Sequence, residues 1–205
     1  MTGRLIVLEG GEGAGKSTLQ AALGERLRAA GHEVVLTREP GGTAAGEKVR
    51  ELLHLDLTPW AETFAFLAAR AQIVVEVIRP ALERGADVLC DRFAASTFAY
   101  QGYARGLDLA QLRTANVIAT GGLEPDLTIW LDLEPAIGLA RKHGEAEAIR
   151  TGRESLAFHE RVRAGYRAQY ESATPGTWLR LDATPPPADT AAAAWAALQA
   201  LLSGA

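Results

Sequence analysis

Five short apolar runs recur along the chain, at residues 4–9, 33–37, 87–91, 127–132 and 178–181. Their centres, Leu5-Ile6-Val7-Leu8 above all, are continuous rather than alternating. That is the pattern of parallel strands buried on both faces. Between them apolar positions fall at helical spacing. One such stretch runs over 19–27, and Gly31 is placed to stop it. Thr58-Pro59 starts another, with proline at the first helical position, and Pro80 should end or kink it. Within it Phe64, Leu67, Ile73, Val74 and Val77 read as core. Asp108 with Gln111 resembles a capping box ahead of a helix over 109–119. Further helices are expected over 135–142 and 154–170. The alanine-rich stretch 190–201 reads as a helix on propensity. Repeated strand–helix units predict an α/β fold, a three-layer sandwich around a mostly parallel five-stranded sheet. Ligands then bind beyond the carboxyl ends of the strands.

Composition narrows the classes. A length of 205 residues suits one domain, 1–205, around a single core. With 48% hydrophobic and 22% charged residues the chain is globular rather than disordered. A net charge of −4 disfavours nonspecific nucleic-acid binding. The single cysteine, Cys90, excludes an internal disulfide and fits a reducing, cytoplasmic setting; within an apolar run it reads as a packed thiol. No signal-peptide pattern opens the chain, and no apolar run reaches membrane-spanning length.

The strongest chemical signal follows the first apolar run. Gly10-Gly11-Glu12-Gly13-Ala14-Gly15-Lys16-Ser17-Thr18 matches G-x-x-x-x-G-K-[ST], the phosphate-binding loop, between a strand and a helix as that motif requires. Its glycines let successive N–H groups turn around an anion, and the helix N-terminus adds positive potential. Lys16 reaches the outer phosphates of a nucleoside triphosphate, and the Ser17 hydroxyl can ligate Mg²⁺.

Polar clusters close three other runs: Thr37-Arg38-Glu39-Pro40-Gly41-Gly42-Thr43, Asp91-Arg92-Phe93, and Asp132. Arg38 and Arg92, facing one phosphate loop, suggest a second phosphate group to hold, against the plain alternative of surface ion pairs. Asp91 is placed like the acidic residue that positions Mg²⁺ in phosphate-loop enzymes, or else caps a helix. Phe66 and Arg70, four apart, share a helix face and could sandwich and hydrogen-bond a nucleobase, although a phenylalanine alone in such a position is more often core. Ser96, Thr97, Tyr100 and Gln101 offer hydroxyls, a phenol and an amide just behind Arg92. Residues 141–154 are polar and basic. On the residues alone they read as a solvated loop, which is the usual meaning of such a run; the functional alternative is a lid that excludes water from phosphoryl transfer.

Taken in order, these motifs resemble bacterial thymidylate kinases over essentially the full length. The residues that carry the resemblance are Glu9 to Thr18, Thr37 to Thr43, Asp91-Arg92-Phe93, Ser96-Thr97, Tyr100-Gln101-Gly102, Pro125-Asp126-Leu127-Thr128 and Leu181-Asp182-Ala183. The Arg-Glu-Pro-Gly-Gly element is far more specific than the phosphate loop. The resemblance implies a phosphate-loop fold of the nucleoside monophosphate kinase type. It also implies transfer of the ATP γ-phosphate to dTMP in dTTP biosynthesis, with Mg²⁺, in a homodimer. Carried over by position, Arg38 and Arg92 would hold the acceptor phosphate. Phe66 would stack on thymine, while Arg70, Thr97 and Gln101 would read its edge. Tyr100 would crowd the sugar 2′ position, and Glu12 would face the sugar 3′-hydroxyl or the water and metal beside it. Ser17 and Asp91 would form the Mg²⁺ side, and Arg141 would lie by adenine.

Some members of the family carry an arginine in the loop directly after the acidic residue; here that position is Gly13. Members of this second kind supply cations from the lid, about 142–153, which makes Arg150 and Arg153 the candidates and Lys142 a weaker one. Related lids read Asp-Arg-x-Glu, whereas Ile149-Arg150-Thr151-Gly152 keeps the arginine and lacks both acids. The alternatives are a kinase for another nucleotide or nucleoside, and a nucleotide-dependent switch. Two substrate-side arginines argue against the nucleoside, and the absence of an Asn-Lys-x-Asp motif argues against a guanine switch.

Overall fold

A computed structural model of the chain describes residues 3–142 and 154–203. The expected strands appear as β1 (Leu5–Gly10), β2 (Val34–Arg38), β3 (Asp87–Asp91), β4 (Leu127–Asp132) and β5 (Trp178–Asp182). They form one sheet in the order β2-β3-β1-β4-β5, and every pairing is parallel. Along β1 the side chains alternate between faces. Ile6 and Leu8 pack with Leu19, Leu23 and Leu27 of α1 (Lys16–Ala29) and with Ala194 and Leu198 of a late helix. Leu5 and Val7 pack on the other side with Ile73, Val74, Ile78, Val88 and Phe93. This is the expected three-layer sandwich, and it explains the continuous apolar runs, since each strand is covered twice. Full burial of Leu23 and Leu27 stabilises the fold by roughly 1.5–3 kcal/mol each.

The remaining α-helices among the described residues are, in chain order, α2 (Ala44–Leu52), α3 (Pro59–Ile73), α4 (Arg79–Glu83), α5 (Ala94–Thr97), α6 (Leu109–Thr120), α7 (Pro135–Arg141), α8 (Leu156–Ser172) and α9 (Pro187–Ser203), with a π-helical segment, Phe98–Ala104, continuing α5. Gly31 ends α1 as expected, at φ 91°: its N–H bonds the Arg28 carbonyl while the His32 N–H bonds that of Leu27. That pair of bonds needs a left-handed residue between them. Asp108 caps α6 by accepting from the Gln111 N–H at 2.8 Å.

Two expectations change. Pro80 does not simply stop α3; the chain widens into a π-helical turn at Val74–Ile78 and resumes as α4. The missing N–H of a proline is absorbed one turn upstream by that widening. Phe64 is not core: it is 60% exposed and stacks on Trp60, with ring centroids 5.5 Å apart. The helix turns its buried stripe through Ala65, Leu67, Ala69, Arg70 and Ile73 instead.

Candidate active site

Beyond the carboxyl ends of β1, β2 and β3 lies a cleft of about 450 Å³. Seven basic residues line it (Lys16, Arg38, Arg50, Arg70, Arg92, Arg141 and Lys142) against three acids, Glu12, Glu39 and Asp91. The imbalance makes it an anion site within a chain that is acidic overall. The phosphate loop forms its floor. Lys16 is buried and donates to the Gly10 and Gly11 carbonyls at 3.1 and 2.9 Å. Burial, with the Arg92 charge close by, brings its ammonium down to about 8. Lys16 is therefore cationic below that value and neutral above it. We expect kcat/KM for ATP, which reports the free enzyme, to fall as pH rises through about 8. A profile that stays level well above that pH would exclude Lys16 as the titrating group.

The Ser17 hydroxyl, at the start of α1, donates to Asp91 Oδ2 at the end of β3 at 2.9 Å. Two hard oxygen donors from separate elements thus meet beside the loop. Mg²⁺ takes one or two protein oxygens and fills its shell with phosphate and water, so this pair fits it.

Glu12 stands where the two halves of the cleft join. Its Oε1 pairs with Arg92 at 3.0 Å and its Oε2 with Lys142 at 2.8 Å, and the Tyr100 hydroxyl lies 3.4 Å away. Burial alone would raise its carboxyl. The charges of Arg92, Lys16 and Lys142 overcome that and hold it well below the usual carboxylate range. Arg92 is the one non-glycine residue at positive φ among the described residues, at 75°. That conformation aims its guanidinium back over the loop, where Nη1 donates to the Gly10 carbonyl at 3.1 Å and the plane covers the Tyr100 ring at 5.1 Å.

What holds this turn is Glu9, which the sequence shows only as the first residue of a motif. It is fully buried. Its carboxylate accepts from the Phe93 and Ser96 N–H groups at 2.9 and 3.1 Å, from the Ser96 hydroxyl at 2.6 Å and from Tyr166 at 2.8 Å. Nothing local marks Glu9 in the sequence, because its partners lie 84 to 157 residues away. Arg50 of α2 is likewise unmarked. It lines the cleft from α2, which packs against α3, and its Nη1 donates to the Pro40 carbonyl at 3.3 Å.

Phe66, Arg70, Thr97, Tyr100 and Gln101 all line the same cleft. Arg70 does not stack on Phe66; its guanidinium covers Phe93 at 5.4 Å. It is 1% exposed and donates to Glu39 at 2.8 Å, Thr97 at 2.7 Å, the Phe93 carbonyl at 2.9 Å and Asn116. A base carbonyl that reached it would share a donor already in use. Arg38 lines the cleft while pairing with Glu47 at 3.0 Å. Asp132 does not belong to the site. It is buried against Arg163 at 2.6 Å and Arg180 at 2.6 Å, so its place at a strand end serves packing of β5 and α8. Cys90 is a buried thiol that burial pushes up, as expected of a packed one. Arg150 and Arg153 lie outside the described residues.

The family model described as Thymidylate kinase matches residues 8–193. The chain belongs to the thymidylate kinase family. Curated thymidylate kinases agree over nearly their whole length. That of Synechococcus sp. (strain JA-3-3Ab) is 52% identical over 197 residues, covering 95% of this chain and 94% of its own. That of Desulfovibrio desulfuricans is 53% identical over 209 residues, covering 96% and 95%. That of Deinococcus radiodurans is 50% identical over 199 residues, covering 96% of each.

Within this thymidylate kinase fold, Gly13 acquires a steric reason. It sits at φ 65°, and a Cβ there would lie 2.1 Å from the Gly138 carbonyl oxygen of α7. A Cβ on Gly138 would meet the Glu12 carbonyl oxygen at the same 2.1 Å. The loop and α7 touch backbone to backbone, so this packing excludes any side chain at position 13, arginine included. Arg141, at the end of α7, donates to the Gly13 carbonyl at 3.4 Å and to that of Ala183 at 3.1 Å, which puts it beside the loop and the turn after β5.

Proposed function

We propose that this cleft transfers the γ-phosphoryl group of ATP to dTMP, giving dTDP and ADP. The observation that carries the reading is one cleft in which the phosphate loop and a Phe66, Thr97, Tyr100 and Gln101 alcove meet at Glu12 and Arg92. On the donor side the amides of Gly10 to Thr18 and the Lys16 ammonium hold the ATP phosphates, and Arg141 lies by adenine. On the acceptor side Arg38 and Arg92, with Arg50 beside them, hold the phosphate of dTMP. Phe66 stacks on thymine; Arg70, Thr97 and Gln101 read its edge; Tyr100 crowds the 2′ position; Glu12 faces the sugar 3′-hydroxyl or the water beside it. Ser17 and Asp91 hold Mg²⁺, which when bound neutralises charge on the outer phosphates. Arg150 and Arg153, in the lid segment about 142–153, are the further cations of the transferring group.

The chemistry needs positioning and charge neutralisation more than proton transfer. The acceptor oxygen belongs to a phosphate monoester, already anionic near neutral pH, so no strong general base is required. Lys16 and Arg92 line the cleft together with Glu12 and Ser17, and their two charges supply that neutralisation.

We read the chain as a single domain, since all five strands share one sheet. We read it also as a homodimer that acts in the cytoplasm. The exposed apolar row of Phe64 and Val75 on the α3 side, with Val117 and Ile118 on neighbouring α6, supports the dimer. Among the described residues no helix is long and apolar enough to cross a membrane.

The test is ADP release from ATP against a panel of nucleosides and monophosphates. dTMP is expected to lead the panel. A preference for uncharged nucleosides, or ADP release without an acceptor, would overturn the reading. In the same assay Tyr100→Ala is expected to lower the preference for dTMP over its ribonucleotide by roughly tenfold, the effect of about 1.4 kcal/mol of lost discrimination. An unchanged deoxy-to-ribo ratio would remove Tyr100 from that role.

A further inference from the structure

Gln101 meets the cleft with only one end of its amide. Its Nε2 donates to Glu62 Oε1 at 2.8 Å, and Glu62, on α3, is 2% exposed. Arg105 grips the same carboxylate with two parallel bonds, Nε to Oε1 and Nη2 to Oε2, each 2.8 Å. A carboxylate in a two-pronged pair with a guanidinium accepts and does not donate. Only the amide nitrogen of Gln101 can face it, so the orientation of the amide follows from the chemistry of its neighbour. Arg105 is itself fixed, by Glu154 at 2.9 Å and by the Phe158 ring at 5.0 Å. Gln101 lines the cleft, and with its Nε2 committed to Glu62 the end of the amide left for a ligand there is Oε1.

We propose that Glu62 and Arg105 are positioning residues for the choice of acceptor base. By holding the Gln101 oxygen toward the cleft, they select pyrimidines that carry a hydrogen on N3. This rests on the assignment of Gln101 to the base made above. Thymine presents an N3–H donor to that oxygen. Cytosine presents a lone pair at the same atom, so two acceptors would oppose each other. Selection is then by repulsion of the wrong base as well as attraction of the right one. A site whose buried polar group is left unpaired by the wrong substrate discriminates far more strongly than one that loses only apolar contact.

The test compares kcat/KM for dTMP and dCMP in the parent and in Glu62→Gln. The amide introduced by that substitution can donate as well as accept, so the Gln101 amide becomes free to present either end. The dTMP-to-dCMP ratio is expected to fall tenfold or more. The mismatch at the 4-position of cytosine is common to both proteins and cancels in the comparison. A ratio within threefold of the parent, in a variant that still binds ATP, overturns the proposal. Gln101→Leu separates the two layers of the argument. If it leaves the ratio unchanged, the assignment of Gln101 to the base fails. If it lowers the ratio while Glu62→Gln does not, the positioning role alone fails. A measurement without any variant guards against misfolding. The N3 imino proton of bound dTMP, followed by NMR in the parent, is expected to exchange with water at least tenfold more slowly than in free dTMP, and equal exchange overturns the proposal.

Discussion

Arg92→Ala is expected to lower kcat on the order of 10³-fold or more, about 4 kcal/mol of transition-state stabilisation, with a much smaller rise in KM for ATP. Arg92 is held over the phosphate loop from both sides. Nη1 bonds the Gly10 carbonyl, Nη2 pairs with Glu12 at 3.0 Å, and the Tyr100 ring lies beneath the plane. A guanidinium so restrained needs no reorganisation to meet charge that develops on a transferring phosphoryl group. Lysine should restore little, because an ammonium cannot reproduce two divergent bonds and a stacked plane. Arg92→Gly makes a useful companion. It should be as slow as Arg92→Ala yet more stable, since alanine at a φ of 75° carries strain that glycine avoids. Steady-state ADP release with a thermal melt on each variant checks both statements. A kcat within tenfold of the parent would remove Arg92 from the transfer step.

The second large effect falls on stability. Arg70→Met should destabilise the fold by roughly 3–5 kcal/mol, because it breaks a buried ion pair and leaves the other charge behind. For a chain of this size that corresponds to a fall in Tm of roughly 6–20 °C. The Arg70 side chain is 2% exposed and its partner Glu39 3%, with 2.7 Å between them. The same substitution strips Thr97, Asn116 and the Phe93 carbonyl of a donor. The loss should depend on pH. Burial already raises the Glu39 carboxyl with Arg70 in place, and loss of that charge raises it further, so the native state of the variant binds the extra proton over a wider pH range than the parent. Stability of the variant is then lowest at neutral pH and recovers as pH falls toward the carboxylate range. Chemical denaturation across that range checks the slope; a deficit that does not change with pH would mean that Glu39 is not the charge left unpaired.

The strands, the phosphate loop and the order of the motifs are legible because each is written in contiguous residues. β3 and β4 match the expected ranges residue for residue, β1 and β2 are shifted by one residue at both ends, and β5 runs one residue longer. A strand covered on both faces must be apolar throughout, and Leu5 to Leu8 say so without help from the rest of the chain. Helix ends are equally plain where a single residue decides them, as at Gly31 and Asp108. Periodicity misplaces Phe64 because it shows that a helix has an apolar stripe, but two apolar stripes on one helix look alike until one of them meets the sheet.

The site divides along the same line. The chain's linear order alone points to Gly10–Thr18 as the place for a nucleoside triphosphate, since strand, loop and helix are local and their anion-binding geometry is closed within a few residues. It also places Arg38 and Asp91 at strand ends. It does not distinguish Asp91, which reaches Ser17, from Asp132, which is consumed by Arg163 and Arg180. Nor does it reveal Glu9 beneath the Arg92 turn, Arg50 on the cleft wall, or Glu62 and Arg105 behind Gln101. The role of each buried polar group depends on which partner satisfies it, and those partners come from distant segments brought together only by packing of the layers. Gly13 shows both halves at once. As a residue it is merely permissive; against the backbone of Gly138, glycine is the only residue that fits.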